Sequence, residues 1–345
     1  MADARLCLTP QVSGVGGMVS FRNRLSRRLA AMGIELTDDP SDPRLDAILV
    51  IGGTRHLLEL WRARRQGVHI VQRLNGMNWL HRVQSTRSNL RHYLRAEYGN
   101  RLLSIIRARL AQGVIYQSEF SLRWWERVYG PTPVPCTVVY NGIDLQEYSP
   151  RGLHQRPQEE FRILLVEGSL MGGYEMGLEV AIQLAQGVSD RLHHPIELQV
   201  VGRVAETVRR GWERRIAPGL KLTWAGLQPA ERIPEVDRSA HLLYSSDVNA
   251  ACPNSVIEAL ACGLPALALD TGALPEMVTG DAGRIVPYGG DPWRLDPPDI
   301  QGLVEAAWEI IGDQERFRAG ARLRAESAFN LDHMVESYLQ ALLGR

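Results

Sequence analysis

Short apolar runs alternate with amphipathic segments along most of the chain. In its first part, buried strands are predicted by four such runs, RLCLT, DAILVIGG, HIVQRL and GVIYQS. The segment at 18–33 places five apolar side chains on one face of a helix: Met18, Phe21, Leu25, Leu29 and Met32. Strands that alternate with helices are typical of βαβ units, so the pattern predicts an α/β fold with parallel sheets.

A polar segment, PRGLHQRPQEE at 150–160, interrupts this alternation. Strand patterns resume after it, in the runs FRILLVEG, IELQVVGR, LKLTWAG, AHLLYSS and LPALALD. We therefore predict two doubly wound Rossmann-like domains, at 1–150 and 151–330, a division that suits a chain of 345 residues. Such sheets bind ligands outside the carboxyl ends of their strands, so we expect the two domains to face each other across a ligand-binding cleft.

Composition narrows the function classes. The 39 basic and 39 acidic side chains balance, so the chain lacks the positive field of a dedicated nucleic-acid binder. The four cysteines show neither zinc-site spacing nor a disulfide framework, which favours a reducing cytoplasm. No apolar run reaches the length of a membrane span, so we expect any membrane contact to be peripheral.

The stretch CPNSVIEALACGLP is the most informative for chemistry. Pro253 and Gly263 bound a predicted helix at 253–262, in which Glu258 is the one acidic residue among apolar neighbours. A carboxylate can accept hydrogen bonds from both hydroxyls of a ribose. A diphosphate suits the free amides at the helix start, those of Asn254, Ser255 and Val256. Alternatively, Glu258 only caps a loop or pairs with a core arginine.

The stretch from Cys252 to Val278 resembles the donor-site signature of family-4 glycosyltransferases, in which a glutamate opens the run EALACGLP. A glycine and a glutamate follow after the next strand, here Gly272 and Glu276. VVYNGIDLQEYSP at 138–150 is similar to the turn that closes the first domain in that family. The resemblance implies a GT-B fold, retention at the anomeric carbon, and a final helix at 331–345 that crosses back to the first domain.

The resemblance also implies the ligands. The donor would be a UDP- or GDP-linked sugar, with no prosthetic group and no metal. The acceptor would be a glycan, a lipid-linked glycan or a small molecule. Gly226 and Leu227, after the strand LKLTWAG, would border the base, and Glu258 would hold the ribose.

Two segments of the first domain match weaker family features. The turn after RLCLT contains Gly16 and Gly17, which would approach the donor phosphates, although such a turn is often only a tight strand-to-helix connection. Asn75 stands where many relatives carry a histidine near the reacting sugar, and Arg73 could supply a fixed positive charge there.

The second domain departs from the family at three positions. Ser169 and Met176 stand where relatives commonly place an arginine and a lysine that neutralise the diphosphate. We expect other groups to bind the diphosphate in place of these two cations. They are the guanidinium of Arg203 and the backbone amides of Gly168, Ser169, Gly172 and Gly173. A surface role for Arg203 is the alternative. Ala250 replaces an acidic residue, which leaves Asn249 as the side chain for the sugar hydroxyls.

Other features indicate less specific roles. The segment TDDPSDP at 37–43 predicts a turn and not a metal site. Arg87, Arg91 and Arg95 form one basic stripe, either a solvated face or a surface for an anionic acceptor or acidic lipid. The sequence thus predicts a nucleotide-sugar-dependent glycosyltransferase. Its rivals are an epimerase or hydrolase on the same scaffold, and a nucleotide-sugar-binding protein that has lost transfer.

Overall fold

The computed structural model describes residues 4–14, 16–83, 90–170, 175–217 and 219–344, which form two compact units. The first unit comprises 1–142 and 331–345, and the second comprises 143–330. The division falls a few residues before the predicted boundary at 150. Ile143, the first residue of the second unit, is fully buried and donates its backbone N–H to the carbonyl of Phe329 at 2.8 Å.

The first unit is built on a parallel sheet with the strand order β2-β1-β3-β4-β5-β6. Its strands are β1 (Arg5–Thr9), β2 (Glu35–Thr37), β3 (Ala47–Ile51), β4 (His69–Leu74), β5 (Gly113–Tyr116) and β6 (Cys136–Val138). Its helices are α1 (Gly17–Ala31), α2 (Leu57–Arg65), α3 (Leu80–Val83), α4 (Leu90–Ile105), α5 (Glu119–Tyr129) and, from the end of the chain, α13 (Leu331–Leu343). A short π-helical turn, Ile106–Leu110, follows α4.

Helices α1 and α13 pack together on one face of this sheet. Phe21 of α1 lies against Tyr338 of α13, with ring centroids 5.2 Å apart. Both belong to a buried cluster that includes strand residues such as Leu6 and Leu49. The apolar side of α13 predicted from the sequence is buried in this cluster: Met334, Tyr338, Leu339 and Leu342. The last helix of the chain is therefore part of the core of the first unit.

The second unit has a parallel sheet with the order β12-β11-β10-β7-β8-β9. Its strands are β7 (Phe161–Ser169), β8 (Ile196–Arg203), β9 (Leu220–Gly226), β10 (Leu242–Tyr244), β11 (Ala266–Leu269) and β12 (Gly283–Val286). Its helices are α6 (Glu175–Leu192), α7 (Glu206–Glu213), α8 (Ile233–Arg238), α9 (Asn254–Ala261), α10 (Leu274–Met277), α11 (Ile300–Gly312) and α12 (Gln314–Ala328).

The strand order of the second unit places a topological switch point between β7 and β10. The chain runs outward from β7 through β8 to β9, and then returns to β10 on the other side of β7. Ligands of open α/β sheets bind at the carboxyl ends of the strands beside such a point. Two doubly wound parallel sheets confirm the predicted fold class. No helix within the described ranges has the length and apolar character needed to cross a membrane.

Candidate functional site

Helix α9 begins beside the switch point and carries Glu258. Pro253 is its N-cap residue and makes no side-chain capping hydrogen bond to the first-turn amides, which belong to Asn254, Ser255 and Val256. Uncapped amides at a helix start favour an anion. Glu258 lies one turn further along and is half-buried, while its neighbours Ile257 and Ala259 are fully buried. One short helix therefore carries both the carboxylate predicted to contact the ribose and the amides predicted to contact the diphosphate.

A second carboxyl group, not predicted from the sequence, lies beside Glu258. Asp237 of α8 is only 1% exposed, and its Oδ2 atom is buried without a hydrogen-bond partner in the described part of the chain. Burial, and next the charge of Glu258, raise the pKa of Asp237 well above its usual value. Burial and the neighbouring charge thus both favour the neutral form of the Asp237 carboxyl group. In the sequence, this group is indicated only by an acidic residue within the helical segment IPEVDR.

Asn249 lies in the loop that follows β10. Its backbone is left-handed, with φ 55°, and its Oδ1 atom accepts a hydrogen bond from Thr271 Oγ1 at 2.8 Å. Its Nδ2 atom is buried and has no hydrogen-bond partner among the residues that the structure describes. Gly272 holds this loop close, because a Cβ atom there would lie 2.6 Å from the backbone nitrogen and oxygen of Ala250. Asn249, the residue predicted to contact the sugar hydroxyls, is thus held in place by Thr271 and by the close approach of Gly272.

The residues expected to replace the family's cations lie in the loop after β7 and at the end of the neighbouring strand β8. Gly168 and Ser169 are exposed, and Met176 packs against the apolar core. Gly172 and Gly173 lie outside the described residues. Arg203, paired with Ser169 in the sheet register, is exposed, and its guanidinium makes no hydrogen bond or ion pair within the described ranges. Arg203 is therefore an uncommitted cation at this edge of the sheet.

Two carboxyl groups that the sequence analysis missed meet at the switch point. Glu167 lies near the carboxyl end of β7, two residues beyond its fully buried part, and Asp247 follows the adjacent strand β10. Ser246 Oγ donates a hydrogen bond to Glu167 Oε1 at 2.7 Å. Burial, and next the charge of Asp247, raise the pKa of Glu167 to about 8, and burial raises the pKa of Asp247 to about 6. The pair therefore holds about one proton at neutral pH.

A cavity of about 260 Å³ opens at the carboxyl ends of β8 and β9. It is lined by Val200, Gly202, Arg203, Val204, Arg209, Trp224, Gly226 and Leu227. Three of the residues predicted to bind the donor therefore share one cavity, Arg203, Gly226 and Leu227. Arg209 and Trp224 were not predicted, because only the packing of α7 against β9 brings them together. Gly226 and Leu227 in its lining are the residues that the family resemblance assigns to the base of the donor.

Arg73 forms a separate polar cluster at the carboxyl edge of the first sheet. It is 1% exposed, and its Nη2 donates to Asn141 Oδ1 at 2.8 Å, while Nη1 donates to Asn75 Oδ1 at 3.2 Å. With its amide oxygen turned towards the guanidinium, Gln117 accepts from Nη1 at 2.8 Å. The ring of Phe21 lies 3.7 Å from the guanidinium carbon. Arg73 is thus a fixed, buried cation. Its hydrogen-bond partners Gln117 and Asn141 were not predicted from the sequence.

The remaining predicted features have simpler surroundings. Gly16 and Gly17 are exposed at the start of α1, where Gly16 is the N-cap residue and no side chain caps the helix. In the segment at 37–43, Asp42 forms an ion pair with Arg5 at 2.6 Å, and Asp39 accepts from the backbone of Ser41 in a turn. Within the described ranges, no group of three or more His, Cys, Asp or Glu side chains is placed to hold a metal ion.

The basic stripe falls on α4. Arg91 and Arg95 are exposed on this helix, whereas Arg87 lies outside the described residues. The same helix exposes three large apolar side chains at four-residue spacing: Leu90 (68% exposed), Leu94 (57%) and Tyr98 (59%). Residues four apart lie on one face of a helix, so α4 presents an apolar strip beside its arginines.

The second unit, which carries Glu258, is similar in sequence to known glycosyltransferases. Residues 162–313 match the family described as "Glycosyl transferases group 1", which confirms the predicted resemblance to glycosyltransferases. An exopolysaccharide phosphotransferase of Streptomyces coelicolor is 26% identical over 230 residues, which are 66% of this chain and 22% of that protein. The chain thus spans about a fifth of the length of this curated relative.

Solved structures of similar fold cover nearly the whole chain. Sucrose-phosphate synthase from Thermosynechococcus elongatus has a TM-score of 0.70 at 16% identity and covers 98% of both chains. HepE of Anabaena, solved with UDP and glucose, has a TM-score of 0.68 at 14% identity, covering 99% of this chain and 100% of its own. WaaG, a glycosyltransferase of lipopolysaccharide biosynthesis, has a TM-score of 0.70 at 13% identity with the same coverage. At these identities the similarity establishes the GT-B fold.

Proposed function

We propose that this protein transfers a sugar from a nucleoside diphosphate donor to a glycan, lipid-linked or small-molecule acceptor, with retention at the anomeric carbon. The observation that carries the proposal is Glu258, a half-buried carboxylate one turn beyond an uncapped helix start at the switch point of the second sheet. This segment lies within the region that matches group 1 glycosyltransferases. The UDP bound in the HepE structure supports a UDP-linked donor.

Each part of the donor has a proposed ligand in the second unit. Glu258 accepts hydrogen bonds from the ribose hydroxyls, and the buried Asp237 lies beside it. The amides at the start of α9 and the guanidinium of Arg203 attract the diphosphate. Asn249 is the proposed ligand of the sugar, and Arg73 and Asn75 remain the proposed catalytic groups of the first unit.

Nucleotide affinity tests the assignment of Glu258. We expect Glu258→Gln to weaken UDP or GDP binding by roughly 1.5 to 3 kcal/mol, because a neutral amide replaces a charged acceptor of the ribose hydroxyls. Titration calorimetry with the nucleotide and with its 2′,3′-dideoxy analogue measures this effect, which should be absent for the analogue. Glu305→Gln is the matched control, since Glu305 is exposed on α11. Unchanged affinity in a folded Glu258→Gln protein contradicts the assignment.

The products distinguish transfer from its rivals. The chain is incubated with nucleotide sugars and an acceptor panel, with and without EDTA, and we expect UDP or GDP and a glycosylated acceptor in both cases. Release of UMP or GMP would indicate transfer of a sugar phosphate, the chemistry named for the Streptomyces coelicolor relative. Turnover without acceptor would indicate a hydrolase or epimerase. Loss of activity in EDTA that manganese restores would contradict metal-independent transfer.

We also propose weak peripheral contact between α4 and an anionic lipid surface. The apolar strip Leu90, Leu94 and Tyr98 would enter the interface while Arg91 and Arg95 attract the lipid head groups. We expect sedimentation with vesicles that contain phosphatidylglycerol and not with pure phosphatidylcholine. The variant Leu90→Ser/Leu94→Ser should lose this binding, and Leu58→Ser, an exposed leucine of α2, should retain it. Equal sedimentation of all three proteins would exclude contact through α4.

A further inference from the structure

The cavity at the ends of β8 and β9 contains side-chain hydrogen-bond donors but no side-chain carboxylate. Arg203 and Arg209 contribute guanidinium groups, and the indole of Trp224 forms part of the wall. The indole N–H is already used, since Trp224 Nε1 donates to Glu213 Oε1 at 2.8 Å. The other lining residues are apolar or are glycines. A ligand that enters this cavity therefore meets the side chains of two arginines as its polar partners.

Arg209 differs from Arg203 because one of its donors is already buried. Its Nη2 donates to Glu206 Oε2 at 2.6 Å, which fixes the guanidinium against α7. Its Nε atom is buried and has no hydrogen-bond partner in the described part of the chain. An unsatisfied buried donor is costly, and arginine can only donate. The guanidinium thus lines the cavity with one donor that no protein acceptor satisfies within the described residues.

We propose that Arg209 selects the base of the donor, favouring bases with a carbonyl oxygen at the distal edge of the ring. This inference rests on the proposed function, because it takes the cavity as the base site. Uracil presents its O4 atom and guanine its O6 atom, both of which accept hydrogen bonds from arginine. Cytosine and adenine present an amino group at the same positions, and two donors facing each other leave both unsatisfied.

The size of the cavity is consistent with one base. At about 260 Å³ it lies just below the range typical of sites for whole small-molecule ligands, and so suits a fragment of the donor. Gly202 and Gly226 at its wall carry no side chains that would narrow it. The apolar side chains of Val200 and Val204 can cover the faces of a planar ring.

Paired nucleotides test this inference, because each pair differs at the atom that Arg209 would read. Affinities for UDP against CDP, and for GDP against ADP, are measured by titration calorimetry. We expect the wild-type protein to prefer the carbonyl-bearing member of at least one pair by about fivefold or more, as for other buried hydrogen bonds. The pair that shows the preference identifies uracil or guanine as the base. Equal affinities within both pairs would overturn the inference.

Variants assign the preference to one side chain. Arg209→Met retains the aliphatic stem and should abolish the preference by weakening only the carbonyl-bearing nucleotide. Arg209→Lys keeps the charge without the Nε donor and should do the same. Arg210→Met is the control, since the exposed Arg210 also pairs with Glu206, at 2.8 Å. If Arg209→Met weakens both members of a pair equally, Arg209 supplies only charge or packing, and the inference fails.

Failure of the inference can be separated from failure of the proposed function. If Glu258→Gln weakens nucleotide binding while the Arg209 variants keep the base preference, the donor site stands and the base is read elsewhere. If the wild-type protein binds none of the four nucleotides, the proposed function itself is wrong. The Glu258→Gln protein, the two Arg209 variants and Arg210→Met are checked for a folded far-ultraviolet circular dichroism spectrum before affinities are compared.

Discussion

At the scale of single residues, the proposed donor site contains two acidic groups that lie close together. The family resemblance implies an arginine and a lysine for the diphosphate, whereas here the loop after β7 carries Ser169, and Glu167 and Asp247 lie at the adjacent strand ends. A fully ionised pair would repel a diphosphate. The shared proton reduces that repulsion, so the protonation of Glu167 and Asp247 is linked to folding and, under the proposed function, to donor binding.

This linkage predicts a stability that falls with pH. The pKa of Glu167 is about 8 in the folded protein, above its ordinary value of 4.5, so the folded state binds more protons than the unfolded state at neutral pH. The stabilisation is complete at low pH and is lost as the pH rises through 8. Between pH 6.5 and 8.5 we expect Tm to fall by about 2–4 °C, which corresponds to on the order of 1 kcal/mol.

The pH window avoids a group with the opposite effect. Burial lowers the pKa of His241 to about 4, so this histidine destabilises the folded state only below its unfolded value, near 6.5. Differential scanning fluorimetry across pH 6.5–8.5 measures the slope. Glu167→Gln should flatten the slope, whereas Glu305→Gln should leave it unchanged. An identical slope in Glu167→Gln would assign the pH dependence to other groups.

At the scale of elements, periodicity was sufficient for the fold and for α9. The helix predicted at 253–262 is observed at Asn254–Ala261, because Pro253 and Gly263 restrict the backbone at both ends. The carboxyl pair could not be predicted, since Glu167 and Asp247 meet only because β7 and β10 are neighbours in the sheet. Arg209 and Trp224 were missed for the same reason, because sequence alone does not reveal which face of α7 meets β9.

Helix α13 allows a test of packing at this scale. Leu342 is 2% exposed in the core of the first unit, and Leu342→Ala should destabilise that unit by about 2–5 kcal/mol through lost burial and the resulting cavity. Urea denaturation measures the change. Gln340→Ala lies on the exposed side of α13 and should cost less than about 0.5 kcal/mol. A comparably small effect of Leu342→Ala would mean that α13 is loosely attached.

At the scale of the whole molecule, the second unit is an insertion within the first. The chain leaves the first unit after Gly142 and rejoins it at Leu331, and Ile143 and Asn330 form a β-bridge where the two passages meet. This arrangement was implied by the family resemblance and not by the apolar pattern of α13, which specifies a buried face but not its partner.

The insertion imposes an order on biosynthesis. A ribosome delivers residues 143–330 before α13, so the second unit has all of its sequence while the first still lacks Met334, Tyr338 and Leu342 from its core. Domains generally fold as units during synthesis, N-terminal domains first. Here the nascent first unit must wait, exposing Phe21 and Leu25 of α1, until the final helix leaves the ribosomal tunnel. Of the two units, the one whose first residues are synthesised earlier is therefore the later to complete its fold.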